Sequence, residues 1–358
     1  MDSWRVPSEA RSEVQFPTGL RGTIEHHRLT SRVLAGNPWG DPVERDLPVY
    51  LPPSGTTDGR PLLVLLSGYA GVGEYHFQRG RFLDDSIVGR LDRLIRTGTC
   101  GEAVMIGPDC LTSLGGSQYL NSTATGRYED YVVEEIVPWA RTRFRTGPTV
   151  VLGTSSGGYG ALVLALRHPE VFSALGSNAG DAYFEYCYPP EFPAAFRELR
   201  RSGGPEAFLR RVFTEFTSGF GPTSPVGKTI SLMAYASAYS PVESEPGRFD
   251  LPFDLETGAL RADVWERWLA WDPVRMIERA PYNEAARRLR LIYLDGGSRD
   301  EFGLDVGARI LAAAARRQGA RVVHEEYDGV HSDRGPRYDA MIPRLLRAVD
   351  AASPHPPL

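Results

Sequence analysis

From Arg60 onward the chain alternates between two apolar patterns. Short, nearly unbroken apolar runs occur at 61–68 (PLLVLLSG), 103–109 (AVMIGPD), 149–153 (TVVLG), 172–180 (FSALGSNAG), 289–297 (LRLIYLDGG) and 320–329 (ARVVHEEYDG). Such runs, closed by Gly, Pro or Asp, predict strands, the most apolar of them buried on both faces. Between them apolar residues recur at helical spacing. In 82–98 they are Leu83, Ile87, Leu91, Leu94 and Ile95. Further helices are predicted at 126–144, kinked at Pro138, at 159–169, at 305–319 with Gly319 as C-cap, and at 337–350. Strands alternating with helices predict an α/β fold, a mostly parallel sheet with helices on both faces.

Two stretches depart from that rhythm. Residues 22–53 read as strands and turns, with partial alternation in GTIEHHRLTSRVL and a strand RDLPVYLPP closed by prolines. We expect an N-terminal β extension over 1–60, packed on a main domain over 61–352, with loose, polar or proline-rich ends. Residues 181–288 interrupt the alternation with aromatics, prolines and short helical patterns. They read as a cap or lid insertion, because open α/β sheets bind ligands outside the strand C-termini, where this stretch begins and ends. A surface excursion with no role at the site is the alternative.

Composition narrows the function classes. The 358 residues carry a net charge of −5 with both signs interspersed, which favours neither nucleic acid nor an anionic membrane. No run of about eighteen apolar residues predicts a membrane span. The N-terminus lacks a basic start followed by an apolar core, so no secretory signal is expected. Cys100, Cys110 and Cys187 have unrelated spacings and no C-x-x-C pair. Neither a zinc knuckle nor a redox motif is suggested, and free thiols and a cytoplasmic location fit best.

The chemistry concentrates at 149–162, TVVLGTSSGGYGAL. Gly153-Thr154-Ser155-Ser156-Gly157 fits G-x-S-x-G between a strand and a helix, the setting of a nucleophile elbow. Ser155 is the central residue and the candidate nucleophile. The backbone N–H of Ser156, at the helix start, is one candidate oxyanion donor. A serine needs a base that is itself oriented by an acid, here in the chain order Ser, acid, His. His168 ends the elbow helix, His324 lies within a strand and His355 is in the tail. His331, in the loop after the last strand, is the candidate base. The acid should follow the preceding strand, where LIYLDGGSRDEFG offers Asp295, Asp300 and Glu301. Asp300 is preferred for its place in the loop; Asp295 sits at the strand-to-turn transition. The Tyr69 amide, after the first buried strand, is the second oxyanion candidate.

Other features read as structural. Trp265, Trp268 and Trp271 form a helical stripe and read as packing of the insertion on the core. His26 and His27 point to opposite faces of a strand and lack a third metal ligand. GYAGVGEYH lacks the lysine of a phosphate loop.

With these residues in place, the chain resembles the putative-esterase family of α/β-hydrolases. That group includes enterochelin-esterase-like proteins, feruloyl esterases, esterase D-like enzymes and mycolyltransferases. The resemblance spans roughly 23–349 and rests on VYLPP, LLSGYAG, GPDCLTSLGGSQYLNSTATGRYEDYVVEEIVPW, GTSSGGYGAL, GSNAGDAYFEYCY, LDGGSRDEF and DGVHSD. It implies an α/β-hydrolase fold and hydrolysis of a carboxylic ester or thioester of a small molecule through an acyl-serine, without cofactor or metal. By motif position its triad falls on Ser155, Asp300 and His331. Tyr119, Asn121, Asp181 and Tyr183 lie in segments expected at the pocket rim. Ser67 departs from the family's usual histidine before the oxyanion glycine, and the 181–288 insertion is longer than in compact members. Two other readings are an acyltransferase or cyclase using the same acyl-serine, and an inactive hydrolase fold serving as a binding protein.

Overall fold

A computed structural model describes residues 19–78, 85–215, 224–333 and 335–350. The polar N-terminus, the first residues of the helix predicted from Phe82, and His355 with its proline-rich tail lie outside the described residues. Among the described residues eight strands form one sheet in the order β1-β2-β4-β3-β7-β8-β9-β10. These are β1 (Thr23–Thr30), β2 (Glu44–Leu51), β3 (Leu62–Leu66), β4 (Val104–Ile106), β7 (Thr149–Thr154), β8 (Phe172–Asn178), β9 (Ile292–Gly297) and β10 (Val322–Tyr327). A separate two-stranded hairpin joins β5 (Asn121–Ser122) and β6 (Gly126–Arg127). From β4 to β10 the strand pairs are parallel. β1 pairs antiparallel with β2, and β2 with β4, so the N-terminal strands extend the same sheet. The chain is an α/β-hydrolase fold.

Strand geometry explains the unbroken apolar runs. Successive side chains of β3 point to opposite faces. Leu62, Val64 and Leu66 join a core with the helix Ser156–Arg167, while Leu63 and Leu65 join another with the helices Ile87–Arg96 and Tyr338–Val349. Both faces are covered, so every position of β3 is apolar.

The helix expected at 126–144 with a kink at Pro138 takes another form. A helical turn at Tyr128–Asp130 passes through a π-helical stretch, Tyr131–Ile136, into the helix Val137–Phe144. Pro138 falls at the start of that last segment. Proline has no N–H to give to the helix, and the hydrogen-bond pattern changes in the turn just before it.

Between β8 and β9 the chain builds helices that include Phe192–Ser202, Pro205–Glu215, Pro225–Tyr239 and Ala262–Leu269. Their core is aromatic. Trp268 is fully buried among Tyr188, Phe192 and Tyr239, and its indole N–H donates to Ser240 Oγ at 2.8 Å. Trp265 packs beside it, and Trp271 lies under the Arg167 guanidinium.

Candidate active site

The turn after β7 holds Ser155 at φ 55° and ψ −128°, a conformation that strains a residue with a side chain. The strain is held by hydrogen bonds. The Ser155 N–H donates to Asn178 O at 3.0 Å, and the Tyr159 N–H donates to Ser155 O at 2.9 Å. Glycine is required on both sides of the turn. A Cβ on Gly157 would collide with the carbonyl oxygen of Leu66, and one on Gly153 would meet the Gly157 carbonyl at 2.5 Å. The elbow therefore presses its backbone against the end of β3.

Ser155 Oγ lies 3.1 Å from His331 Nε2, and His331 Nδ1 lies 2.8 Å from Asp300 Oδ2. With the proton on Nδ1, that N–H donates to the Asp300 carboxylate and Nε2 accepts from the serine hydroxyl. The side chain of Asp300 is fully buried and that of His331 is 12 % exposed. Asp300 Oδ1 accepts the Phe302 N–H at 2.9 Å. The Phe302 ring meets the imidazole edge-on, with centroids 4.9 Å apart. The His331 N–H donates to Glu301 Oε2 at 3.1 Å, which holds the loop. Each partner is thus fixed by the chain beside it.

The other two candidate acids, Glu301 in that loop and Asp295 within β9, point elsewhere. Glu301 meets the His331 main chain. Asp295, fully buried, accepts from Tyr293 OH at 3.2 Å and Arg337 Nε at 3.2 Å, and burial pushes its carboxyl up to about 7. His168 takes part in a different cluster, with Nε2 at 2.6 Å from Glu129 Oε1. His324 lies within β10.

A cavity of about 260 Å³ opens at Ser155. One side is formed by Gly68, Tyr69, Ser155 and His331, and the other by residues of the insertion, among them Asp181, Tyr188, Lys228 and Tyr235. Backbone N–H groups next to Tyr69 are used within the loop: Ala70 donates to Gly115 O at 2.7 Å and Gly71 to Gly68 O at 3.0 Å. Among the described residues no protein acceptor takes the N–H of Tyr69 or of Ser156. The Tyr69 hydroxyl donates to Leu114 O, and its ring packs edge-on against Tyr235.

Of the four rim candidates, Asp181 lines the cavity. Its Oδ2 accepts from Tyr188 OH at 2.9 Å and Gln118 Nε2 at 3.2 Å, and burial raises its pKa from the usual carboxylate range. Tyr119, Asn121 and Tyr183 do not line the cavity. Tyr119 is buried against Gly160 and donates to Ser67 O at 2.6 Å. Asn121 exchanges two hydrogen bonds with Asp130. Tyr183 packs on Tyr186, its N–H and that of Phe184 tied to Asp272. The sequence reading missed Tyr188, Glu191, Lys228 and Tyr235, because membership of the wall depends on how the insertion folds back. Among the described residues no group of three or more His, Cys, Asp or Glu is placed to hold a metal, and no helix is long and apolar enough to cross a membrane.

Comparison with known proteins follows the same geometry. Residues 42–342 match the family described as "Putative esterase". A search of curated proteins finds no match. Among solved structures, a ferulic acid esterase is similar at 18 % identity and TM-score 0.58, over 92 % of this chain and 99 % of that one. An S-formylglutathione hydrolase from Agrobacterium tumefaciens is similar at 16 % identity and TM-score 0.56, over 93 % and 98 %. A fluorophosphonate-binding serine hydrolase of Staphylococcus aureus is similar at 15 % identity and TM-score 0.52, over 92 % and 99 %. At these identities the likeness is one of fold.

Proposed function

The chain belongs to the putative-esterase family and is a carboxylic ester hydrolase, and on that premise we propose that it works through an acyl-serine formed on Ser155. The observation that carries this reading is the continuous hydrogen-bonded path from Ser155 Oγ through His331 to Asp300. His331 Nε2 takes the hydroxyl proton as Oγ attacks the ester carbonyl. The N–H groups of Tyr69 and Ser156 then stabilise the oxyanion, an effect worth roughly 3–4 kcal/mol per donor in related chemistry. Asp300 keeps the imidazole in the productive tautomer and stabilises the imidazolium without taking its proton. His331 returns the proton to the leaving alcohol. A water molecule, deprotonated by the same nitrogen, attacks the acyl carbonyl and releases the acid and free Ser155.

In this reading the 181–288 insertion is a cap that supplies the substrate-facing wall, and the small-molecule ester lies between it and the elbow. The test is labelling by a fluorophosphonate, together with turnover of simple esters by the full chain and by Ser155→Ala. Labelling of Ser155 and turnover lost in the variant are expected. Undiminished hydrolysis by Ser155→Ala would overturn the assignment. Product analysis with an added alcohol separates hydrolysis from acyl transfer through the same intermediate.

A further inference from the structure

The sequence contains a single lysine, Lys228; every other basic side chain among its 40 Lys and Arg residues is arginine. Among the described residues no arginine lines the cavity at Ser155, and the one lysine does. Lys228 lies in the first turns of the helix Pro225–Tyr239. Lys228, Ser231, Leu232 and Tyr235 all line the cavity, at the i, i+3, i+4, i+7 spacing of one helix face. Seven residues of helix put Lys228 about 10 Å along the axis from Tyr235. Tyr235 in turn packs on Tyr69, beside the serine.

Lys228 Nζ lies 2.9 Å from Glu191 Oε1, with the two side chains 29 % and 17 % exposed. That contact occupies one of the three donors of an ammonium group. The acids of the wall have partners of their own: Glu191 has Lys228, Glu301 has the His331 N–H, and Asp181 has Tyr188 and Gln118. Among the described lining residues Lys228 is therefore the Lys or Arg cation with donors left over. Its chemistry suits that place. A compact ammonium can be shared between Glu191 and a second oxygen, whereas a planar guanidinium would pair with Glu191 in a two-pronged contact and fill more of the space. The positive end of the helix dipole lies in the same turn.

We propose that Lys228 is a specificity-determining residue that holds a carboxylate of the substrate, so that the preferred substrates are esters carrying a free carboxylate remote from the scissile bond. The proposal rests on the ester-hydrolase reading of the same cavity. Lys228 shares its charge between Glu191 and the substrate carboxylate while the ester carbonyl lies at Ser155. Glu191 keeps the ammonium in place and weakens its hold on a second anion. A purely structural tie between Lys228 and Glu191 makes a different prediction, since breaking it from either side would have the same effect.

The experiment compares kcat/KM for 4-nitrophenyl half-esters of linear dicarboxylic acids, C4 to C10, with 4-nitrophenyl esters of monocarboxylic acids of equal length. A second pair, 4-carboxyphenyl butyrate against phenyl butyrate, puts the carboxylate on the alcohol side. In at least one pair the full chain should prefer the anionic ester by tenfold or more. Lys228→Met should lower that ratio at least tenfold, and Glu191→Gln should raise it. A full chain that prefers neutral esters, or choline esters, overturns the proposal, as does a ratio that both variants move in the same direction or leave alone. Neutral esters hydrolysed without anionic preference sink the proposal and leave the hydrolase reading standing. If no ester is hydrolysed, the hydrolase reading has failed. Calorimetric binding of suberate to Ser155→Ala then still decides the lysine: at least tenfold weaker binding with Lys228→Met added is expected, and equal binding overturns it.

Discussion

Ser155 and His331 stand 176 positions apart in sequence and 3.1 Å apart between Oγ and Nε2. The sheet order brings them together: β7 lies near the centre and β10 at the edge, with β8 and β9 between, all parallel, so their following loops open on one side. Ser155→Ala removes the nucleophile and leaves the imidazole pair intact. Ester turnover should fall by about 10⁴-fold or more, with an unchanged thermal melt. Turnover within tenfold of the parent would contradict the mechanism.

Asp300→Asn tests the orienting role separately. The replacement keeps the shape of the buried side chain but offers an amide to His331 Nδ1, which favours the wrong tautomer. By analogy with other serine triads, kcat should fall about 10⁴-fold. KM and fluorescence-monitored unfolding should change little. An equal loss in Glu301→Gln, whose carboxylate accepts the His331 main-chain N–H, would point to loop disruption as the cause in both.

Gly157→Ala should break the elbow without touching a reactive group. The added methyl would press into the Leu66 carbonyl oxygen at the end of β3. Backbone cannot rotate away as a side chain can, so overpacking of about 1–3 kcal/mol or more is expected. Urea unfolding should show the lower midpoint, together with loss of fluorophosphonate labelling at Ser155.

The inner strands were legible because they are buried apolar runs closed by a breaker, as in Leu62–Leu66 before Ser67-Gly68, whereas β1 and β10 are only partly buried. Ser155, Asp300 and His331 could be proposed because each lies in the segment that follows a strand, β7, β9 and β10 in turn. What a residue touches across the fold was less legible. Tyr119 has the sequence setting of a rim residue, yet close packing of Gly160 draws its ring under the elbow helix. Lys228 had a signal in its count of one, but its place at the cavity depends on how the insertion returns over the strand ends. The π turn at Tyr131–Ile136 leaves the apolar spacing too little altered to be read.

Asp295 gives the protein a pH-dependent stability separate from its chemistry. Burial holds the folded carboxyl at about 7, despite Arg337 Nε at 3.2 Å. In an unfolded chain an aspartate titrates near 3.9, about. Between roughly pH 4 and 7 the folded state therefore keeps a proton that the unfolded state has lost. The proton's contribution is fully present below about pH 4 and is lost as pH rises through 7. Asp272, which burial pushes up to about 6, acts in the same direction. Asn at position 295 mimics the protonated carboxyl at every pH. The melting temperature of Asp295→Asn relative to the parent should therefore rise from pH 5 to about pH 7 and level off by pH 8. A constant difference across that range would mean that Arg337 keeps Asp295 ionised throughout.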